Sequence, residues 1–120
     1  MSTIESKSFD SPDETRKFAG HGEAHVVELD GRTVIKSKFE PGWRWSNDIK
    51  PIAGTDSCQT RHFGYMISGE MKVVMDDGTE RTLRPGELCV IEPGHDAEVV
   101  GPSACEFVDF GDVSNYAKSG

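Results

Sequence analysis

Glu70-Met-Lys-Val-Val-Met75-Asp-Asp-Gly78-Thr-Glu-Arg-Thr-Leu83-Arg-Pro85-Gly86 is the stretch whose reading decides the fold. Two β-prone runs, Glu70–Met75 and Thr79–Leu83, flank Asp77-Gly78. Asp-Gly between extended runs signals a hairpin, because glycine accepts positive φ without steric cost. Pro85-Gly86 then turns the chain into Leu88-Cys-Val-Ile91, and Pro93-Gly94 turns it again into Ala97-Glu-Val-Val100. Gly101-Pro102 leads into the last apolar run, Cys105–Phe110. Upstream the same device recurs: Ala24–Leu29, then Asp30-Gly31, then Arg32–Phe39. Short strands at spacings of roughly eight to twelve residues point to an all-β sandwich or barrel.

Outside the strands, Ser11–Phe18 carries helix-start signals, Ser11 as N-cap and Pro12 at the first position, and is expected to form one helical turn. The tail after Asp112 reads as a frayed turn. Glu40–Thr55 has no periodicity, but its two tryptophans, Trp43 and Trp45, argue for order, since ordering them buries much apolar area. The 120 residues read as one domain: a core of about 24–110, an N-terminal arm 1–23 and a tail 111–120.

Charge and cysteine usage narrow the function classes. Thirteen basic against twenty-one acidic residues leave a net charge of −8, which disfavours nucleic acid and anionic membrane surfaces. No stretch has the apolar length of a transmembrane helix. The N-terminus lacks a signal peptide's apolar core, so a cytoplasmic location is expected. Cys58, Cys89 and Cys105 form neither a disulfide framework nor a CxxC-type zinc pattern.

The chemistry concentrates in Asp56-Ser-Cys-Gln-Thr-Arg-His62. In an extended strand Asp56, Cys58 and His62 share one face. A carboxylate, a thiol and an imidazole together make a metal site or polar reaction centre. Gly64, Met66 and Ser68 continue the His62 face and would line the interior, Met66 as part of the ligand pocket with Trp43, Arg44 and Trp45. His95 follows the Pro93-Gly94 turn and is a ligand or general acid/base candidate, as is His62. Cys58 could instead be a nucleophile activated by His62, but four residues of strand place them about 13 Å apart. Trp43 and Trp45 would share a face opposite Arg44: either an aromatic wall for a small ligand, with Arg44 for a carboxylate, or a structural plug.

Tyr65-Met-Ile-Ser-Gly69-Glu, Met75-Asp-Asp-Gly78, Pro85-Gly86-Glu and Ile91-Glu-Pro93-Gly94 resemble the two motifs of the cupin superfamily, over about Phe39–Phe110. Within it the chain looks like small bacterial cupins with PGWRWS and PGHD segments, here Pro41–Ser46 and Pro93–Asp96. The resemblance implies a jelly roll of two antiparallel sheets and, as small cupins often pair, a homodimer. It also implies a divalent metal, but the usual three-histidine, one-glutamate set is absent. Counting from Gly69, the glutamate position holds His62, and the two histidine positions hold Cys58 and Asp56; the second-motif histidine falls on Ala97.

A rearranged set of Asp56, Cys58, His62 and His95 is the expected metal site. Its thiolate and imidazoles suit zinc, with iron, copper or nickel behind it. The expected function is a small-molecule-binding cupin, with metal-assisted chemistry on a small organic acid or aromatic compound. The alternative is a metal-free, non-catalytic metabolite sensor.

Overall fold

The computed structural model describes residues 3–118; Met1, Ser2, Ser119 and Gly120, at the outer ends of the expected arm and tail, lie outside the described residues. Among the described residues nine strands run in the order β1 (Glu14–Lys17), β2 (Gly22–Leu29), β3 (Arg32–Phe39), β4 (His62–Ser68), β5 (Glu70–Met75), β6 (Glu80–Leu83), β7 (Leu88–Ile91), β8 (His95–Val100) and β9 (Cys105–Asp109). They form two antiparallel sheets, β1-β2-β3-β9-β4-β7 and β6-β5-β8. This is the jelly roll that the cupin resemblance implies, and it falls within the sandwich-or-barrel class to which the strand spacing points.

The Asp-Gly turns act as their chemistry requires. Asp30 and Gly31 both take positive φ, 52° and 73°, the geometry of a tight two-residue hairpin. Glu28 pairs with Thr33 and Leu29 with Arg32 across that turn. Alternation then sets the core. On β4, His62, Gly64 and Met66 are buried while Phe63, Tyr65 and Ile67 face outward. On β9, Cys105, Phe107 and Asp109 point inward.

Two segments differ from expectation. Ser11–Phe18 contains no helix; Glu14–Lys17 is an edge strand paired with β2 in the register Glu14↔Val26. Pairing with β2 buries Arg16 and brings Phe18 against Phe39, gains that a lone helical turn lacks. The tail is not frayed either, for Val113, Tyr116 and Ala117 are buried in the core.

Glu40–Thr55 is ordered around two short helices, α1 (Trp45–Asp48) and α2 (Lys50–Ala53). Trp43 packs on Phe39 with ring centroids 4.3 Å apart. Burying each indole supplies on the order of 4 kcal/mol before entropic costs. Asp48 closes the segment: one carboxylate oxygen accepts the Arg44 N–H at 2.9 Å, the other lies 3.0 Å from His21 Nδ1. Gly54 ends α2 in the left-handed conformation.

Candidate metal centre

Three residues from three chain segments meet between the sheets. His62 opens β4, His95 opens β8, and Cys58 lies in the connection ahead of β4, bridged to His95. The Cys58 N–H donates to the His95 carbonyl at 2.7 Å, and the Gly94 N–H donates to the Cys58 carbonyl at 2.7 Å. Gly94 holds φ +93°, so the Pro93-Gly94 turn delivers His95 to this bridge. One donor atom each from Cys58, His62 and His95 lie within 4.8 Å of one another. Their exposures are 2, 7 and 2 %.

Each imidazole is held by its Nδ1, leaving Nε2 for the cluster. His62 Nδ1 lies 2.5 Å from Asp109 Oδ2, and its Nε2 lies 3.6 Å from Cys58 Sγ. His95 Nδ1–H donates to the Glu92 carbonyl at 2.8 Å. The other Asp109 oxygen accepts the N–H groups of Phe63 and Gly111 at 3.3 and 3.0 Å. A carboxylate or carbonyl behind a ligating histidine fixes its tautomer and raises its basicity.

Electrostatics favour the ionised pair. Burial alone would raise the Cys58 thiol, but hydrogen bonds from His62 and His95 outweigh it and bring the group down to about 6. Burial would likewise lower His62, and the Asp109 hydrogen bond outweighs it, raising the imidazole to about 9. Burial without such partners pushes the half-buried Cys89 and the buried Cys105 up to about 11. Cys58 is therefore distinct among the three thiols.

The expected ligand residues divide. The structure brings Cys58, His62 and His95 together and leaves Asp56 out, exposed and 3.8 Å from Lys50 Nζ. Residues 56–61 are not a strand, so the shared face expected for Asp56, Cys58 and His62 does not exist. The same bend removes the 13 Å separation expected of Cys58 and His62.

The ligand-wall residues also divide. Trp43 and Trp45 line a cavity beside His62 and His95; Arg44 points outward and pairs with Glu98 at 2.5 Å. Met66 is fully buried in the core and does not line that cavity. Asp109 and Tyr116 escaped the sequence reading as site residues. Tyr116 stands edge-on to His62 with ring centroids 5.2 Å apart. The inward alternation of β9 was the available signal for Asp109; nothing local marked Tyr116.

The cavity is small and mostly apolar, with about 30 Å³ of room for water-sized groups, far below the 300–1,000 Å³ of drug-sized pockets. Chemically, the donor set fits a borderline metal: one thiolate and two oriented imidazoles, with the remaining positions free for a small ligand.

Comparison with known proteins agrees with this architecture. No curated protein matches the sequence. Among solved structures, an RmlC-like cupin from Shewanella frigidimarina is 19% identical, with TM-score 0.61 over 95% of this chain and 96% of its own. A double-stranded β-helix protein from Klebsiella pneumoniae is 20% identical, with TM-score 0.61 over 95% and 94%. Oxalate decarboxylase from Lactobacillus farciminis, in its formate complex, is 17% identical with TM-score 0.62; the match covers 93% of this chain and 34% of that one. The pattern of the EutQ-like cupin domain matches residues 50–111, just over half of the sequence and the part that carries Cys58, His62 and His95, and the chain belongs to that family.

Proposed function

We propose that this cupin binds a divalent metal through Cys58 Sγ, His62 Nε2 and His95 Nε2, and uses it to hold a small organic acid. The observation that carries the reading is the convergence of three buried donor atoms within 4.8 Å, each imidazole fastened from behind. Zinc suits this set best, with iron, copper or nickel next. Bound there, the ion would supply Lewis-acid polarisation of a ligand oxygen. The chain's own residues orient that ligand: Trp43 and Trp45 form an apolar wall that excludes water, and His62 and His95 face the same space. The cavity volume restricts the ligand to a few heavy atoms, and the formate-bound neighbour is a small-carboxylate precedent in the same fold.

The test is elemental analysis of untagged protein purified without chelator, beside Cys58→Ala and His62→Ala. Near-stoichiometric metal that both variants lose supports the reading; equal metal content in all three would sink it. A second reading, a metal-free metabolite-binding barrel, has one observation in its favour. The Cys58 and His62 shifts describe a thiolate–imidazolium pair that compensates its own charge with no ion present. Protein that takes up neither zinc nor ferrous iron would select it.

The assembly we propose is a homodimer through the outer face of β4 and β7. Phe63 and Tyr65 stand opposite Val90 and Leu88 there, with Ile67 and Phe110 alongside, all exposed. Together they present on the order of 500 Å² of apolar surface, at the upper end for a monomer. Strand β7 is an edge with no charge and no proline to block pairing. An uncharged face suits a second copy of a chain carrying −8, since it brings apolar surface together rather than like charges.

A further inference from the structure

Two spaces flank the Cys58–His62–His95 cluster. The inner one is the small cavity between the sheets, lined by His62 and His95. The outer one is a surface groove of about 310 Å³ between the α1–α2 segment and the tail, lined by Cys58, Thr60, Asn115 and Lys118 among others. Trp45 and Tyr116 line both. They stand between the groove and the inner cavity.

The two residues are held differently. Trp45 begins α1, tied down through the Asp48 carboxylate and the packing of Trp43. Tyr116 belongs to a segment without strand or helix, Gly111–Lys118. That segment leaves β9 with its Asp112 N–H bonded to the Arg61 carbonyl at 2.9 Å. The Gly111 N–H donates to Asp109, and Ser114 Oγ lies 3.5 Å from Thr33 Oγ1. Towards its far end the segment is tied by Arg16 on the edge strand β1, whose buried guanidinium Nη1 donates to the carbonyls of Val113 and Tyr116 at 3.0 and 2.9 Å. The backbone N–H groups of Tyr116 and Lys118 donate within the tail, to the carbonyls of Val113 and Asn115. A segment so held, on an edge strand and outside both sheets, opens at lower cost than the strands it covers.

We propose that the C-terminal segment Gly111–Lys118 is the gate of the site, with Tyr116 closing against Trp45 and Arg16 as its latch. The gate sets specificity by size: small oxygen-bearing molecules reach the cluster from the polar groove, past Lys118, when Tyr116 swings away, and Tyr116 then shuts them from water. What passes through follows from the metal-and-ligand reading above. The gate itself follows from the fold.

Cys58 is a natural reporter, because it lines the groove beside Trp45 and Tyr116 yet is almost fully buried, so a reagent reaches it only when these side chains move. Cys105, fully buried in the core, reports global opening. The experiment alkylates metal-free, full-length protein with iodoacetamide and follows each cysteine by peptide mass spectrometry. In the wild type, Cys58 labelling should be nearly independent of dilute urea and Cys105 labelling should rise steeply, as for local against global opening. A shared steep urea dependence overturns the gate. Tyr116→Ala and Arg16→Met should each speed Cys58 labelling at least tenfold more than they speed Cys105 labelling. Unchanged Cys58 rates in both variants would also overturn it. Because no metal is present, these outcomes are separate from success or failure of the metal assignment.

Discussion

His62 Nδ1 lies 2.5 Å from Asp109 Oδ2, so the imidazole that opens β4 is oriented by the carboxylate that ends β9. The register of the two strands produces this contact, since Gly64 pairs with Asp109 two residues along from His62. Both side chains point inward and are buried. Asp109→Asn keeps the shape but loses the anion that fixes the tautomer and basicity of His62. Zinc affinity should fall 10- to 100-fold, the usual cost of losing such a partner, with stoichiometry recovered at excess metal. Competition against a chromogenic chelator measures this, and unaltered affinity would contradict a ligand role for His62.

Asp56→Ala is the matched control. Its carboxylate is in solvent beside Lys50, and an exposed, solvent-screened pair of that kind adds little or nothing to stability. Metal content and melting temperature of this variant should equal the wild type. A loss of metal comparable to Cys58→Ala would mean that residues 56–61 rearrange on binding.

The metal-free protein should show a specific pH signature. Cys58 is depressed to about 6 from 9.0, so its contribution to stability is present above 9.0 and lost as pH falls through about 6. His62 is raised to about 9 from 6.5, so its contribution is present below 6.5 and lost as pH rises through about 9. Between those limits the slopes oppose each other and nearly cancel. Urea unfolding of the wild type should therefore vary little from this pair between pH 6.5 and 9. In Cys58→Ser only the histidine slope remains, and stability should fall across that window by on the order of 2 kcal/mol. A flat profile in the variant would show that Asp109 does not hold the His62 proton.

Gly64 is where strand pairing leaves no room for a side chain. A Cβ there would meet the Val108 carbonyl and the ring of Phe107. Neither can retreat, because β9 is bonded on both sides, to β3 and β4. Gly64→Ala should cost roughly 1–3 kcal/mol, as overpacking does, and, being two residues from His62, should also weaken metal binding. Thermal denaturation with a zinc titration checks both, and wild-type values would show that β4 and β9 can part.

Much of the fold was legible because its signals are local. Asp30-Gly31, Asp77-Gly78, Pro85-Gly86 and Pro93-Gly94 each dictate a turn within four residues, and alternation between them gives the faces. The site is legible only in part. Cys58, His62 and His95 stand out by chemical type, but Asp56 joins them only if the chain is extended through residues 56–62, and a bend there cannot be read from periodicity. Edge strand β1 was obscured by Ser11-Pro12, whose capping signals resemble a helix start, while pairing with β2 is a long-range contact. Tyr116 and Arg16 meet across a hundred residues, and neither has a neighbour in sequence that would mark it.

The outer face of β4 and β7 carries the last prediction. Tyr65 stands opposite Leu88 in register, both exposed, in the middle of the apolar stripe. Two copies related by a two-fold axis would set this stripe against itself, removing roughly 25 cal/mol of cost for each Å² of apolar surface covered. A glutamate at either position would be repeated across the axis, placing like charges together in a drying interface. Sedimentation of the wild type over a range of micromolar concentrations should report a dimer. Leu88→Glu and Tyr65→Glu should each shift it to monomer, with the far-ultraviolet circular dichroism of the β fold retained. Since this face is on the opposite side of β4 from His62, metal content should be unchanged in both variants. A wild-type monomer, or a dimer indifferent to both glutamates, would remove β4 and β7 as the interface.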